Sequence, residues 1–141
     1  MTIREMSMDD YKHIITLFKE TPGIVITDTD SRPATVRYLQ RNPGLSFVAE
    51  DNGNIIGCVM CGYDGRRGYL QHLVVKPVYR RQGIGKTLFM RGLYVLRELD
   101  IPKAHIFVHK TNDNGHAFWS KNGWQRRDND PSIYSYNLNN S

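Results

Sequence analysis

The sequence predicts an α/β fold of the α+β type, in which a mixed and mostly antiparallel sheet carries helices on its faces. Apolar segments between residues 45 and 75 are joined by short turns at Asn52-Gly53 and Asp64-Gly65, a pattern typical of an antiparallel meander. A long amphipathic segment then leads to another strand at 104–109. Such a helical crossover makes the strands on either side of it parallel neighbours.

Helix-capping residues and the spacing of apolar residues predict the elements that precede the meander. Residues 2–6 are predicted as a strand, and Ser7 caps a helix that ends near Glu20. A second helix begins after Ser31, accepts Pro33 in its first turn and stops at 42–44. The segment 24–30 between these helices has no clear period, and it is either a lid over a substrate or an ordinary loop.

The rest of the chain continues the same pattern. The predicted elements are strands at 45–50, 55–63 and 69–75, a helix at 83–99, a strand at 104–109, a helix at 112–122 and a closing strand at 132–138. The length of 141 residues suits one domain that spans residues 1–141.

The net charge of +5 favours an anionic partner. Several arginines concentrate in two turns, at 66–67 and 80–81, which suits a compact anion better than a nucleic-acid duplex. No apolar run is long enough to span a membrane, and the N-terminus lacks the apolar region of a signal peptide. We therefore expect a cytoplasmic protein without a membrane partner.

The two cysteines, Cys58 and Cys61, have C-x-x-C spacing. They fall in a predicted strand, where residues three apart point to opposite faces, so the two thiols cannot meet. No second Cys or His pair has the spacing of zinc ligands. We expect buried thiols and no metal site.

The segment 73–87 predicts a phosphate-binding turn. An apolar strand stops at Pro77, and two arginines and two glycines then open a helix, whose free backbone N–H groups bind phosphate. A P-loop would require a glycine where Arg80 stands, and a dinucleotide fingerprint would require one at Leu88. Neither a nucleotide hydrolase nor a Rossmann domain fits.

The pattern R-x-x-G-x-G at 80–85, behind a strand that ends in L-x-V-x-P, resembles the acyl-CoA signature of the GNAT superfamily of N-acetyltransferases. The segment 112–124 resembles that family's second signature, A-x-x-F-Y-x-K-x-G-F. Because the two signatures occur in the family's order, the resemblance covers essentially the whole chain. It implies a sheet of about six or seven strands with about four helices, in which parallel strands four and five splay apart.

The resemblance also implies a coenzyme A site, with acetyl-CoA as co-substrate and no metal. The pyrophosphate would lie on the turn amides, and the pantetheine arm would pair with the end of the fourth strand. Asn112 would contact the arm in addition to capping a helix. The implied binding residues are Leu73, Val74, Val75, Arg80, Arg81, Gln82, Gly83, Ile84, Gly85, Lys86 and Asn112.

The implied reaction is direct transfer of the acetyl group to a primary amine in a ternary complex, with a backbone N–H of Val74 or Val75 facing the oxyanion. Trp119 stands where much of the family has a tyrosine that protonates the leaving thiolate. Either the thiolate leaves without a side-chain acid, or the acid is one of three tyrosines, Tyr69, Tyr134 or Tyr136.

The sequence leaves the identity of the general base open. The family's usual positions on the fourth strand match Tyr69 and Gln71, and neither is basic. His72 has suitable chemistry, but strand alternation places it on the opposite face from Tyr69 and Gln71, as a core or helix-facing residue. A water relay or an amine that arrives neutral is the alternative.

The leading hypothesis is an acetyl-CoA-dependent N-acetyltransferase that acts on a small molecule, a lysine side chain or a protein N-terminus. The alternative is a non-catalytic acyl-CoA-binding or sensor module, suggested by the missing tyrosine and base. A nucleic-acid-binding role for the basic charge is weaker. The protein is expected to be a monomer or a homodimer.

Overall fold

A computed structural model describes residues 1–128 and 132–138 of the protein. It groups the chain into two compact units, Met1–Phe107 and Val108–Ser141. The first unit contains a sheet with helices on both faces, and the described part of the second unit contains one helix. The organisation of residues 1–141 as a single domain stays a prediction.

The first unit is built on a five-stranded sheet with strands in the order in which they occur along the chain. The first four strands pair antiparallel, and β5 joins β4 in parallel, as predicted. The strands are β1 (Thr2–Glu5), β2 (Phe47–Asp51), β3 (Asn54–Tyr63), β4 (Gly68–Val75) and β5 (Ala104–Ile106). The helices of this unit are α1 (Tyr11–Lys19), α2 (Arg32–Arg41) and α3 (Ile84–Glu98).

Helix α1 covers one face of the sheet and α3 covers the other. Phe18 of α1 lies in a buried cluster with Cys58 of β3 and Val74 of β4. On the opposite face, Gly92 of α3 comes so close to Cys61 of β3 that a methyl group at position 92 would collide with the Cys61 sulfur. Gly92 therefore permits a close approach of α3 to the sheet.

The cysteines lie on opposite faces of β3, as strand alternation predicts. Both are free and buried. Burial raises the pKa of each thiol to about 12, so both stay protonated at neutral pH. Within residues 1–128 and 132–138, no three His, Cys, Asp or Glu side chains are grouped to hold a metal ion, and no helix is both long and apolar enough to cross a bilayer.

The second unit holds α4 (Asp113–Lys121). The closing strand predicted at 132–138 is wrong: those residues form no strand, and their large side chains at 133, 134, 136 and 138 are between 69% and 96% exposed. Alternating apolar residues favour a strand only where a neighbour pairs with the backbone and covers one face. The sheet thus has five strands rather than six or seven, and β5 ends at Ile106 instead of 109.

The contact between Gly92 and Cys61 predicts a stability effect. Gly92→Ala inserts a methyl group into a packed interface and should lower the free energy of unfolding by about 1 to 3 kcal/mol. Urea denaturation measures this free energy. The control is Tyr94→Ala, at an exposed position of the same helix, which should change the free energy of unfolding by less than about 0.5 kcal/mol. Equal effects of the two substitutions would contradict the close packing of α3.

Candidate functional site

Among the described residues, no strand pairs with one edge of β4 along more than half of its length. Pairing with β5 covers only Gly68 to Leu70. From Gln71 to Val75, the ladder contacts of β4 are with β3 alone. Backbone groups that face away from β3 in this part are therefore available to a ligand.

A β-bulge lies where the open edge begins. Cys58 pairs with Val74 and Met60 pairs with Gln71, so two residues of β4, His72 and Leu73, face one residue of β3. His72 has a left-handed backbone with φ of 50°. The extra residue shifts the alternation of side chains between the two halves of β4.

The direction of the backbone groups follows from hydrogen bonds with β3. The N–H of Lys76 donates to the carbonyl of Ile56 in β3 at 2.9 Å. Since successive residues of a strand alternate, the N–H of Val74 points to β3 and that of Val75 points to the open edge. Leu73 lies in the bulge, and its N–H points to the open edge because the His72 carbonyl on the other side of the same trans peptide bond accepts from the Cys58 thiol of β3. Arg80 Nε donates to the carbonyl of Val75 at 3.0 Å, from the open side.

The turn after β4 presents a run of free backbone amides. Arg81 and Gly83 both have left-handed backbones, with φ of 63° and 81°, and α3 begins directly after them. The first bond that joins the turn to the helix runs from the N–H of Thr87 to the carbonyl of Gly83 at 3.0 Å. Among the described residues, the amides from 81 to 86 have no acceptor. They lie at the positive end of a 15-residue helix.

The side chains around these amides add positive charge and one anchor. Arg80, Arg81 and Lys86 are exposed, while Ile84 is buried and fixes the helix start against the sheet. The turn thus presents N–H donors to solvent, with cationic side chains beside them. Such a site suits a phosphate or pyrophosphate group.

In the second unit, Asn112 is the N-cap of α4, and its Oδ1 accepts from the N–H of Gly115 at 2.9 Å. Trp119 is buried, and its ring meets Trp124 edge-on at a centroid distance of 4.9 Å. Tyr134 is 96% exposed. Trp119 is therefore a packing residue of its own unit.

The two candidates on β4 lie on the α1 side of the sheet. Gln71 pairs with Met60, a member of the α1 cluster, and its side chain is exposed. The ring of Tyr69 packs on His105 and Phe107, at centroid distances of 5.8 Å and 6.2 Å. Among the described residues, neither side chain has a hydrogen bond or ion pair with an acidic or basic group.

His72 lies on the opposite face of the sheet from the one that strand alternation predicts. Its ring packs on Phe18 of α1 at 4.6 Å, and its Nε2 lies 3.0 Å from Oδ1 of Asp30. The bulge is the reason, because it lets His72 and Gln71 share the side of α1. The prediction that His72 faces a helix is confirmed, and the one based on alternation is wrong.

Asp30 was missed because it lies 42 residues from His72 in the sequence. It ends a short 3-10 turn, Asp28–Asp30, where its second carboxylate oxygen accepts from the N–H of Thr27 at 3.0 Å. A T-x-x-D capping pattern at 27–30 is the signal that predicts this turn. The segment 24–30 is thereby tied to β4.

Comparisons with known proteins show the family to which the chain belongs. The family model of the acetyltransferase (GNAT) family matches residues 8–124. An acetyltransferase of Pectobacterium atrosepticum is 39% identical over 113 residues, covering 80% of this chain and 79% of that protein. The chain belongs to the GNAT acetyltransferase family. The predicted acetyltransferase class is thereby confirmed at the level of the family.

Solved structures share the fold. A PaiA N-acetyltransferase from Thermoplasma acidophilum, in complex with coenzyme A, superposes with a TM-score of 0.79 at 23% identity and covers 92% of each chain. The aminoglycoside N-acetyltransferase AAC(6')-Iy, with the bisubstrate analogue CoA-S-monomethyl-acetylneamine, gives a TM-score of 0.74 at 20% identity and covers 96% of this chain and 97% of its own. The mixed GNAT fold with parallel β4 and β5 is thus confirmed.

The free amides predict binding of a small anion. Gly83→Ala strains a backbone at φ of 81° by about 1 to 2 kcal/mol and should weaken binding of inorganic pyrophosphate. Gly65→Ala, at φ of 95° in the turn before β4, carries the same strain and should leave binding unchanged. Amide chemical shifts in a pyrophosphate titration measure this. Shifts centred outside 81–86, or equal loss in both variants, would contradict the assignment.

Proposed function

We propose that the protein transfers an acetyl group from acetyl-CoA to a primary amine by direct attack within a ternary complex. The observation that carries the proposal is the run of free amides at 81–86, placed at the end of an open strand edge. Membership of the GNAT family supports it. Complexes of fold relatives with coenzyme A support the choice of donor.

The donor is held mainly by backbone groups. The pyrophosphate accepts hydrogen bonds from the amides of Arg81, Gln82, Gly83, Ile84, Gly85 and Lys86. Arg81 and Lys86 add charge from the rim, while Arg80 also holds the turn to the end of β4 through Val75. The pantetheine arm then lies along the open edge, where the N–H groups of Leu73 and Val75 face it.

The acetyl transfer needs a neutral amine and a donor for the oxyanion. Val74 is a poor candidate because its N–H pairs with β3, and the N–H of Val75 lies at the pyrophosphate end of the open edge. The N–H of Leu73, which faces the open edge beside the bulge, is therefore the proposed donor. Since the Trp119 indole has no acidic proton near neutral pH, the thiolate leaves with a proton that comes from the attacking nitrogen or from a tyrosine such as Tyr134 or Tyr69.

The acceptor belongs to one of three classes: a small amine, a lysine side chain or a protein N-terminus. The small-amine class is supported by the bisubstrate analogue bound to the aminoglycoside N-acetyltransferase. Asn112 is proposed to meet the donor arm as well as to cap α4. The cytoplasmic location and the state as monomer or homodimer stay predictions.

A second function, non-catalytic binding of acyl-CoA, is favoured by one observation. The residue in the family's acid position is Trp119, which is packed against Trp124. A free-thiol assay with acetyl-CoA and a panel of amines separates the two functions. The transferase predicts thiol release that depends on an amine, and the binding module predicts bound donor without release.

The positive charge of the turn and the open space beside its backbone predict how substitutions there change the affinity for coenzyme A. Gly85→Glu places a carboxylate beside the pyrophosphate and should weaken coenzyme A binding about tenfold or more. Arg80→Ala removes one cation and a turn contact, and about a threefold to tenfold loss is expected. Calorimetry measures both.

Arg66→Ala is the matched control, since it removes an exposed arginine from the turn before β4. Its affinity should stay within about twofold of that of the wild type. Unchanged affinity in both Gly85→Glu and Arg80→Ala would mean that the donor binds elsewhere.

A further inference from the structure

We propose that His72 is the general base that takes a proton from the acceptor amine and that Asp30 is its positioning residue. This assignment rests on the proposed transferase function and deepens it. It is carried by the contact between the two side chains at the point where the edge of β4 becomes open.

The hydrogen-bond pattern fixes which nitrogen is available. Nε2 of His72 lies 3.0 Å from Oδ1 of Asp30, and a carboxylate can only accept, so Nε2 carries the hydrogen. In the neutral ring, Nδ1 then has a free lone pair. Among the described residues, Nδ1 has no hydrogen-bond partner, and the side chain is 26% exposed.

The carboxylate is itself held firmly. The Asp30 side chain is 8% exposed, and its other oxygen accepts from the N–H of Thr27. The Tyr11 hydroxyl donates to the backbone carbonyl of Asp30 at 2.6 Å. Together with Phe18 against the ring, these contacts fix the orientation of His72, as a carboxylate does for the histidine of hydrolase triads.

The position of His72 along β4 matches the reacting end of the donor. The pyrophosphate site lies at the C-terminal end of β4, and the open edge runs back from Val75 to Gln71 over about 13 Å. Pairing with β5 closes that edge at Leu70. An arm that follows the edge from the turn therefore ends beside the bulge that contains His72.

The proton and bond changes balance with no further reactant. Nδ1 of His72 takes one proton from the ammonium form of the acceptor, which gives the neutral amine. The nitrogen lone pair forms the C–N bond, the C–S bond breaks with its electron pair on sulfur, and the thiolate takes the second proton that the nitrogen loses. Solvent then removes the first proton from His72.

His72→Asn tests the base directly. Asparagine tolerates the left-handed backbone at φ of 50° but cannot take a proton from an ammonium group at neutral pH. The probes are spermidine, neamine, a lysine peptide and a peptide with a free N-terminus, and the amine with the highest turnover is used. We expect kcat to fall about 10² to 10⁴-fold, while the Kd of coenzyme A stays within about twofold. His13→Asn, at an exposed position of α1, is the control with unchanged kcat.

A second variant separates base chemistry from packing. His72→Gly fits the same backbone and leaves space at the ring, so added imidazole should restore a measurable part of kcat. Asp30→Asn should lower kcat when His72 is present and have no further effect in the His72→Asn background, since a positioning residue acts through its partner.

The outcomes decide between the two proposals. Wild-type kcat in His72→Asn, or normal coenzyme A binding by His72→Gly without rescue by imidazole, would overturn the base assignment and leave the transferase intact. Coenzyme A binding by the wild type with no turnover on any amine would overturn both the transferase and the role of His72. Absence of coenzyme A binding by the wild type would overturn the donor site itself.

Discussion

The site depends on a strand that is paired on one side only. Pairing with β3 and packing against α1 and α3 hold β4 in place. β4 therefore continues as a strand after its pairing with β5 ends at Leu70. An exposed strand edge normally invites pairing with another chain, and here the open part is short and interrupted by the bulge at His72. A ligand with amide groups can complete the missing ladder.

The turn converts this edge into a site for an anionic ligand. Two left-handed residues, Arg81 and Gly83, point consecutive amides to one side before α3 begins. The anchor at Ile84 and the bond from Arg80 to Val75 hold the turn in this form without a ligand. If the turn binds the pyrophosphate of coenzyme A as proposed, little ordering accompanies binding, and most of the favourable interaction contributes to affinity.

Local patterns predicted the parts of the protein that depend on neighbouring residues. The hairpin at Asn52-Gly53, the cap at Ser31 and the glycine turn all appear where the sequence indicates them. The bulge at His72, its contact with Asp30 and the missing strand near Tyr134 depend on pairing between distant segments. Alternation alone carries no information on such pairing, which is why the face of His72 was predicted wrongly.

Amide hydrogen exchange with and without coenzyme A tests the central claim most directly, which is that the open edge of β4 and the adjoining turn together bind the acyl donor. Coenzyme A should slow exchange at the amides of Leu73 and Val75 and at those from 81 to 86, with little change at Val74, whose N–H points to β3. Binding that leaves these amides unprotected, or that protects Val74 as much as Val75, would contradict the account.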